Sequence, residues 1–426
     1  MAGKLRIAID CRIADFEQGV GTALLALAKA LSDSNVTDQE YTFLVTEEMK
    51  CRLVPYIYGP CRLEGIPEST FSTVKASLRR ITPLRFIWKT LIDLRKRLNE
   101  TAQIPVSDGY VEYRQFDVVH FPTPTAYLTK LPTIYQPQDL QHLHHPQFFT
   151  ETAFAEREKL YRAFCNQASF VCVGAEWTKQ DFLKSYEMAP NKVVVIPFGS
   201  VFSAYKAPSQ HEIKNTIEKY GLPDQFFIYP AKTWPHKNHE IILRALHILK
   251  CEQDIAPHVY FTGSYTDHRL SLDRLAKDLM VSEQVHFLGF VTPAVLQAIF
   301  NAATAMIYPS RFEGFGLPIL EAFQARLPVL SSNAATLPEV GRNGALYFDP
   351  DSPSDLSALM VAILNKPELR RDLIAKGTFL LSQYSFKDTA ASFRALYAKA
   401  AALSAQKHQL HRLQANRESV KIGPDQ

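Results

Sequence analysis

The sequence has little of what marks a secreted, membrane-spanning or metal-built protein. Its six cysteines, Cys11, Cys51, Cys61, Cys165, Cys172 and Cys251, are scattered over 426 residues with no C-x-x-C pair. That spacing fits reduced, buried thiols better than a disulfide framework. No apolar run approaches the roughly 18–20 residues that a membrane-spanning helix needs. The opening MAGKLRIAID reads at once as a strand, with no leader before it. No internal repeat is seen. Charge is close to balanced, with 47 Lys and Arg against 43 Asp and Glu for a net +4, and so gives no reason to expect nucleic acid. A cytoplasmic protein that meets a membrane only from outside is the expectation.

What is present reads as alternating strands and helices in two series. Hydrophobic residues make up 46% of the chain and charged ones 21%, the balance of a globular protein too long for one core. Apolar runs predict strands at 5–10, 41–45, 117–121, 133–137, 169–174 and 193–199, with helices at 23–31 and 178–186. A looser stretch over 200–225, holding a short helix, leads to strands at 226–234, 258–264, 285–290, 305–310, 328–332 and 345–348. Helices near 239–250, 270–280, 293–303, 318–326, 353–365 and 388–404 belong to this series, and a polar, frayed tail begins at about 405. The expected fold class is α/β: two Rossmann-like doubly wound domains facing across a cleft. Their boundaries are read as 1–205 and 225–390, followed by a helix and tail over 391–426.

The densest motif is PSRFEGFGLPILEAFQARLPVLSS, residues 309–332. A strand ends, a Gly-rich loop follows, and Pro318 stands where a helix would start. The N–H groups of Ile319 and Leu320 are then expected to point from the helix start, ready for phosphate. Gly314 and Gly316 would let a ligand approach the backbone closely. Glu313 in the loop and Glu321 on the helix could accept from hydroxyls at different parts of one ligand; singly, each could equally be a solvated or helix-dipole carboxylate.

The stretch resembles the signature of family-4 retaining glycosyltransferases of the B-type fold, in which two glutamates stand eight apart around GFGLP. The resemblance implies that Glu313 meets sugar hydroxyls and Glu321 the nucleotide ribose. Gly314, Phe315, Gly316, Leu317, Pro318, Ile319 and Leu320 would line the sugar and diphosphate. FIYPAKTWPHKNHEIILRAL resembles the family's donor-phosphate element, with Lys232 and Lys237 as its cations and Lys232 in place of the usual Arg. VHFLGFV resembles the base-binding edge, at Phe290 and Val291. IDCRIADFEQGVGTALLALAKAL resembles the opening of bacterial sugar transferases, where Gly19, Val20 and Gly21 lead into a helix facing phosphate and Thr22 replaces a frequent Arg. The likeness covers roughly residues 5–30, 115–205 and 225–395.

YQPQDLQHLHHPQFF, from Tyr135 to Phe149, resembles the loop that faces the donor sugar. There Gln138 stands where relatives carry His, just before Asp139, and His120 matches another family His expected to line the same site. His142, His144 and His145 lack a carboxylate or Cys at ligand spacing, so no metal is expected and His144 and His145 are read as surface histidines. The segment 69–100 matches nothing in the family. Its Arg79, Arg80, Lys89, Arg95, Lys96 and Arg97 are interleaved with Phe86, Ile87, Trp88 and Leu91. That pattern suits either an interfacial helix on anionic lipid or a packed helix with a solvated basic face.

The resemblance implies transfer of a hexose, with mannose from GDP-mannose as first choice, from a nucleotide diphosphate sugar to a lipid-linked bacterial polysaccharide such as O-antigen. It implies no cofactor beyond the co-substrate, and peripheral work at the inner membrane face. Rival readings are a donor-binding homologue of low activity, a regulatory subunit with the same fold, and a dehydrogenase using Gly19 and Gly21, whose fingerprint lacks its third glycine. Restoring the family's imidazole in Gln138→His is expected to raise turnover; an unchanged or lower rate would show adaptation to an amide.

Overall fold

The computed structural model describes residues 3–12, 19–66 and 103–420, the last fourteen by backbone alone. The basic segment with Arg79, Arg80, Lys89, Arg95, Lys96 and Arg97 lies outside the described residues.

Thirteen strands among the described residues form two sheets. The first holds β1 (Leu5–Asp10), β2 (Gln39–Thr46), β3 (Cys61–Ile66), β4 (Val118–Phe121), β5 (Thr133–Tyr135), β6 (Phe170–Val173) and β7 (Val193–Val195), in the order β3-β2-β1-β4-β5-β6-β7. The second holds β8 (Phe226–Pro230), β9 (His258–Thr262), β10 (Val285–Gly289), β11 (Ala305–Tyr308), β12 (Val329–Ser332) and β13 (Ala345–Phe348), in the order β10-β9-β8-β11-β12-β13. Every described strand register is parallel, as in Ile7 opposite Val118 and Met306 opposite Val329. The central strands are apolar throughout because helices cover both faces. Ile7, Ala8, Ile9, Val118, Val119, Ile228, Met306 and Ile307 are fully buried.

Eleven longer helices pack against these sheets. They are α1 (Gly19–Ser32), α2 (Glu151–Gln167), α3 (Glu176–Tyr186), α4 (Gln210–Tyr220), α5 (His239–Gln253), α6 (Arg269–Asp278), α7 (Pro293–Ala302), α8 (Leu317–Gln324), α9 (Pro353–Asn365), α10 (Pro367–Leu381) and α11 (Phe386–Val420). The chain divides into two compact units. One comprises Met1–Pro137, Phe149–Cys172 and Ala391–Gln426; the other comprises Gln138–Phe148 and Val173–Ala390. Each sheet changes its winding direction once, between β1 and β4 and between β8 and β11. Those are the switch points at which loops diverge and leave a crevice at the strands' carboxyl ends.

Three elements were not expected from the sequence. β3 reads CRLEGI, with charges at alternate positions on an edge strand. In α2 only Tyr161, Phe164 and Cys165 are buried, so its periodicity is faint. α10 begins at Pro367, straight after α9, in a stretch to which the sequence analysis assigns no element. The tail also departs from expectation: α11 continues as helix through Val420.

His120 is corrected by its burial. It is 0% exposed on β4, so it cannot touch a bound sugar. Its Nε2 lies 2.8 Å from Gln136 Oε1 and its Nδ1 2.9 Å from the Tyr397 hydroxyl, while its ring stands 4.8 Å from that of Phe393. An amide oxygen only accepts, so Nε2 carries the proton and Nδ1 accepts from Tyr397. Burial depresses the imidazole's pKa to about 3. Since the unfolded chain takes up this proton near pH 6.5, the histidine's contribution to stability is lost as pH falls from about 6.5 toward 3. Tyr397→Phe leaves Nδ1 without a donor and should lower unfolding free energy by roughly 1–3 kcal/mol in urea titrations at pH 7.

Candidate functional site

The second sheet's switch point brings two loops side by side. One leaves β8 and runs from Ala231 to Asn238 into α5; the other leaves β11 and runs from Pro309 to Gly316 into α8. Lys237 closes the first loop and Glu313 sits midway along the second. Their side chains meet, Lys237 Nζ to Glu313 Oε1 at 2.5 Å, with 20% and 14% of their surfaces exposed. Lys232 shares the Lys237 turn, which is held by hydrogen bonds from Trp234 N–H to Lys232 O at 2.8 Å and from Lys237 N–H to Trp234 O at 2.9 Å.

Asn238, which the sequence reading passed over, explains why that turn is rigid. Its φ of 57° is left-handed, a conformation asparagine tolerates better than most residues. Its buried amide donates to Pro309 O at 3.2 Å and to Pro350 O at 2.8 Å. The Lys237 turn is thereby stitched to the start of the Glu313 loop. A second tie runs from Arg311 N–H to His236 O at 2.9 Å.

The Glu313 loop has its backbone oxygens satisfied by buried hydroxyls, as an irregular segment inside a fold requires. Thr336 Oγ1 lies 3.0 Å from the Glu313 carbonyl oxygen and 2.9 Å from that of Phe315, and shares its one hydrogen between them. Thr178 Oγ1 donates to Gly314 O at 3.0 Å. Two glycines are required here. A Cβ on Gly314 would stand 2.5 Å from Gln138 O, and Gly316 has a φ of +110°. Gln138 itself holds a φ of 72°, a left-handed strain placed where its carbonyl meets the signature loop. Gln138 and Asp139 thus lie against Gly314, and Asp139 Oδ1 accepts from Gln141 N–H at 3.0 Å.

The helix starts differ from expectation in two places. Ile319 N–H donates to Gly316 O at 3.0 Å, and both Ile319 and Leu320 are fully buried, so neither offers a free group to phosphate. Near the N-terminus, Gly19, Val20 and Gly21 do not precede α1; they form its first turn, with Thr22 Oγ1 donating to Gly19 O at 3.0 Å. The start of α3 is already occupied by an anion from this chain. Glu339 takes the Glu176 and Trp177 N–H groups on its two carboxylate oxygens, at 2.7 and 2.8 Å.

Phe290 and Val291 follow β10, with Phe290 46% exposed. Gly263 connects them to the lysine loop: its N–H donates to Gly289 O at 2.8 Å, and a Cβ on it would stand 2.7 Å from Ala231. The carboxyl ends of β8, β9 and β10 therefore make one continuous rim. Among the described residues no group of three or more His, Cys, Asp or Glu is placed to hold a metal. No described helix is long and apolar enough to cross a membrane.

Of the histidines in the Tyr135–Phe149 stretch, His144 is exposed at the end of a short helix, as expected, and His145 is half-buried. His142 is fully buried. The His144 ring stacks on Phe312, centroids 5.0 Å apart, and His145 meets the same ring edge-on at 5.7 Å. Phe312, Tyr308, Thr178 and Thr336 were all missed in the sequence because their parts in the site come from long-range contacts.

Glu321 lies on α8 behind the loop, 8% exposed. Burial alone pushes its carboxyl up to about 8. Tyr308, buried on β11, feels both carboxylates: burial first and then Glu313 raise its phenol, with Glu321 adding to the effect.

Residues 209–378 match the family model of glycosyl transferases group 1. That match covers less than half of the chain. The chain resembles polysaccharide mannosyltransferases. It is 25% identical over 244 residues to O-antigen chain mannosyltransferase B of Escherichia coli, covering 57% of this chain and 64% of that one. It is 28% identical over 249 residues to O-antigen chain mannosyltransferase RfbU of Salmonella typhimurium, covering 58% and 64%. The serotype-specific mannosyltransferase WbdA of Escherichia coli is 34% identical over 184 residues, 43% of this chain and 23% of that protein. The chain thus spans less than two thirds of the length of these relatives. Among solved structures, Anabaena Alr3699/HepE in complex with UDP and glucose superposes with a TM-score of 0.69 at 15% identity, over 93% of this chain and 100% of that one. WaaG, a glycosyltransferase involved in lipopolysaccharide biosynthesis, gives 0.63 at 15% identity over 92% and 99%. These likenesses show the fold, two Rossmann-like α/β domains.

The raised Glu321 pKa has a stability consequence. The folded carboxyl keeps its proton up to about pH 8, whereas the unfolded one loses it near 4.5, so stability declines as pH rises through that window. Glu321→Gln removes this decline. Its unfolding midpoint should match that of the parent protein near pH 4.5 and exceed it at pH 9, by roughly 2–4 °C for each kcal/mol relieved. Equal midpoints at pH 9 would show that the carboxylate is solvated in the fold.

Proposed function

We propose that the protein is a retaining hexosyltransferase that moves mannose from GDP-mannose to a growing, lipid-linked bacterial surface polysaccharide. The observation that carries this reading is the Lys237–Glu313 pair at the switch point, with Glu321 on the helix that follows the Glu313 loop. The names of the O-antigen mannosyltransferase relatives support mannose and a polysaccharide acceptor.

In this reading Lys232 and Lys237 neutralise the diphosphate as the bond from the anomeric carbon to its oxygen breaks. Glu313 accepts from hydroxyls of the donor sugar, in reach of Gln138 and Asp139, which flank Gly314. Glu321 accepts from the ribose, and the rim at Phe290 and Val291 takes the base. The acceptor oxygen bonds to the anomeric carbon on the face the diphosphate leaves, and its proton passes to the departing phosphate oxygen. The second carboxylate that a retaining glycosidase needs is then dispensable. Two lysines supply positive charge that a divalent metal supplies in other transferases, so no cofactor is called for beyond the nucleotide sugar. In this reading the basic segment around Arg79 to Arg97 meets anionic lipid, and the enzyme works peripherally at the inner leaflet beside its lipid-linked acceptor.

The purified full chain should release GDP from GDP-mannose in the presence of lipid-linked acceptor, and UDP or other nucleotides far more slowly from a panel of sugar donors. Glu313→Ala should lower transfer by about 100-fold or more while GDP affinity, measured by calorimetry, stays within a few-fold. Failure to release nucleotide from any donor would sink the transferase reading, and preferred release of UDP would sink the choice of GDP-mannose.

A further inference from the structure

Phe312 immediately precedes Glu313, and its ring is enclosed by residues that none of the site's proposed chemistry uses. It is 4% exposed. His144 stacks on it at 5.0 Å with planes 28° apart; Trp177 and His145 meet it edge-on at 5.5 Å and 5.7 Å. His144 is not free to turn. Its Nε2 lies 2.8 Å from Asp181 Oδ1 on α3, and Ser185 Oγ donates to that same oxygen at 3.3 Å. The Asp181 side chain is only 7% exposed, and its Oδ2 has no hydrogen-bond partner among the described residues. A buried carboxylate so placed is strongly disfavoured without the imidazole, which fixes the ring's orientation in turn.

The same two elements also grip the loop on the other side of Glu313. α3 reaches Gly314 O through Thr178, and the chain just before His144 lies against Gly314 through Gln138 O. Glu313 is therefore bracketed, with its backbone held at Phe312 and at Gly314 by one helix and one turn. We infer that His144 and Asp181 are a positioning pair for Glu313, acting through Phe312 to fix the carboxylate at Lys237. Neither residue touches the reacting atoms. What the pair supplies is a rigid wall, so that the carboxylate need not be ordered when a ligand arrives.

Given the proposed role of Glu313 at the donor sugar, on which this inference rests, loosening the pair should slow turnover and leave nucleotide binding alone. His144→Phe keeps the stack and loses the hydrogen bond; His144→Gln keeps a donor toward Asp181. In His144→Phe, kcat with GDP-mannose should fall about tenfold or more with the donor KM and the Kd for GDP within twofold, and His144→Gln should recover most of that loss. Asp181→Asn, which retains a neutral acceptor, is the second test should His144→Phe not fold, and it should show the same split to a smaller degree. Crystal structures of the variants give a readout independent of activity: Glu313 should leave hydrogen-bond distance of Lys237 in His144→Phe and return in His144→Gln. Unchanged kcat, or an unchanged Lys237–Glu313 distance, in a folded His144→Phe protein overturns the inference. A fall in kcat and GDP affinity together would reduce the pair to general stability and overturn it as well. Should the parent protein turn over no donor at all, the transferase reading fails, and the crystallographic distance alone decides the positioning.

Discussion

The ion pair between Lys237 and Glu313 is the interaction on which the site's architecture depends. Two loops leave adjacent strands of a parallel sheet in diverging directions, and nothing in the sheet's own hydrogen bonds holds their tips together. One ammonium and one carboxylate, both mostly buried, do so at 2.5 Å. Taking either partner away leaves an uncompensated charge in a low-dielectric setting, a loss of about 3–5 kcal/mol in comparable buried pairs. The neighbouring ties, Asn238 to Pro309 and Pro350 and Thr336 to two loop carbonyls, make sense as supports for that closure. They also keep the loop's backbone polar groups paired away from water.

Much of this was legible in the sequence because it is written in local chemistry. Buried parallel strands must be continuously apolar, so LRIAID, FFIYP and AMIY announce themselves. The spacing of Glu313, Gly314, Gly316, Pro318 and Glu321 carries its own turn and helix start. What could not be read were facts set by distant contacts. Nothing near His120 says that Tyr397, 277 residues later, will bury and hydrogen-bond it. Nothing near Ile319 says that a tightened first turn consumes its N–H. β3 hides because an edge strand tolerates charge, and α2 hides because so little of it is buried.

The histidine-rich stretch shows the same division in one place. Three imidazoles stand within four residues, yet no carboxylate or Cys at ligand spacing accompanies them, so no metal was expected there. In the fold they make different contacts: His142 is buried, His144 bonds Asp181 and stacks on Phe312, and His145 meets that ring edge-on. Side chains on a short helical turn diverge by about 100° per residue, so adjacency in sequence works against a shared ligand. Gln138 stands apart from them, its left-handed backbone fixed against Gly314.

The carboxylate of Glu339 at the start of α3 has a bearing on where anions can settle. Two backbone N–H groups at a helix start would ordinarily be an open invitation to phosphate. Here the guest is tethered to the same chain, at an effective concentration that a dissolved metabolite reaches only with difficulty. This particular doorway is closed from within. A dissolved anion therefore meets one fewer open helix start in this unit.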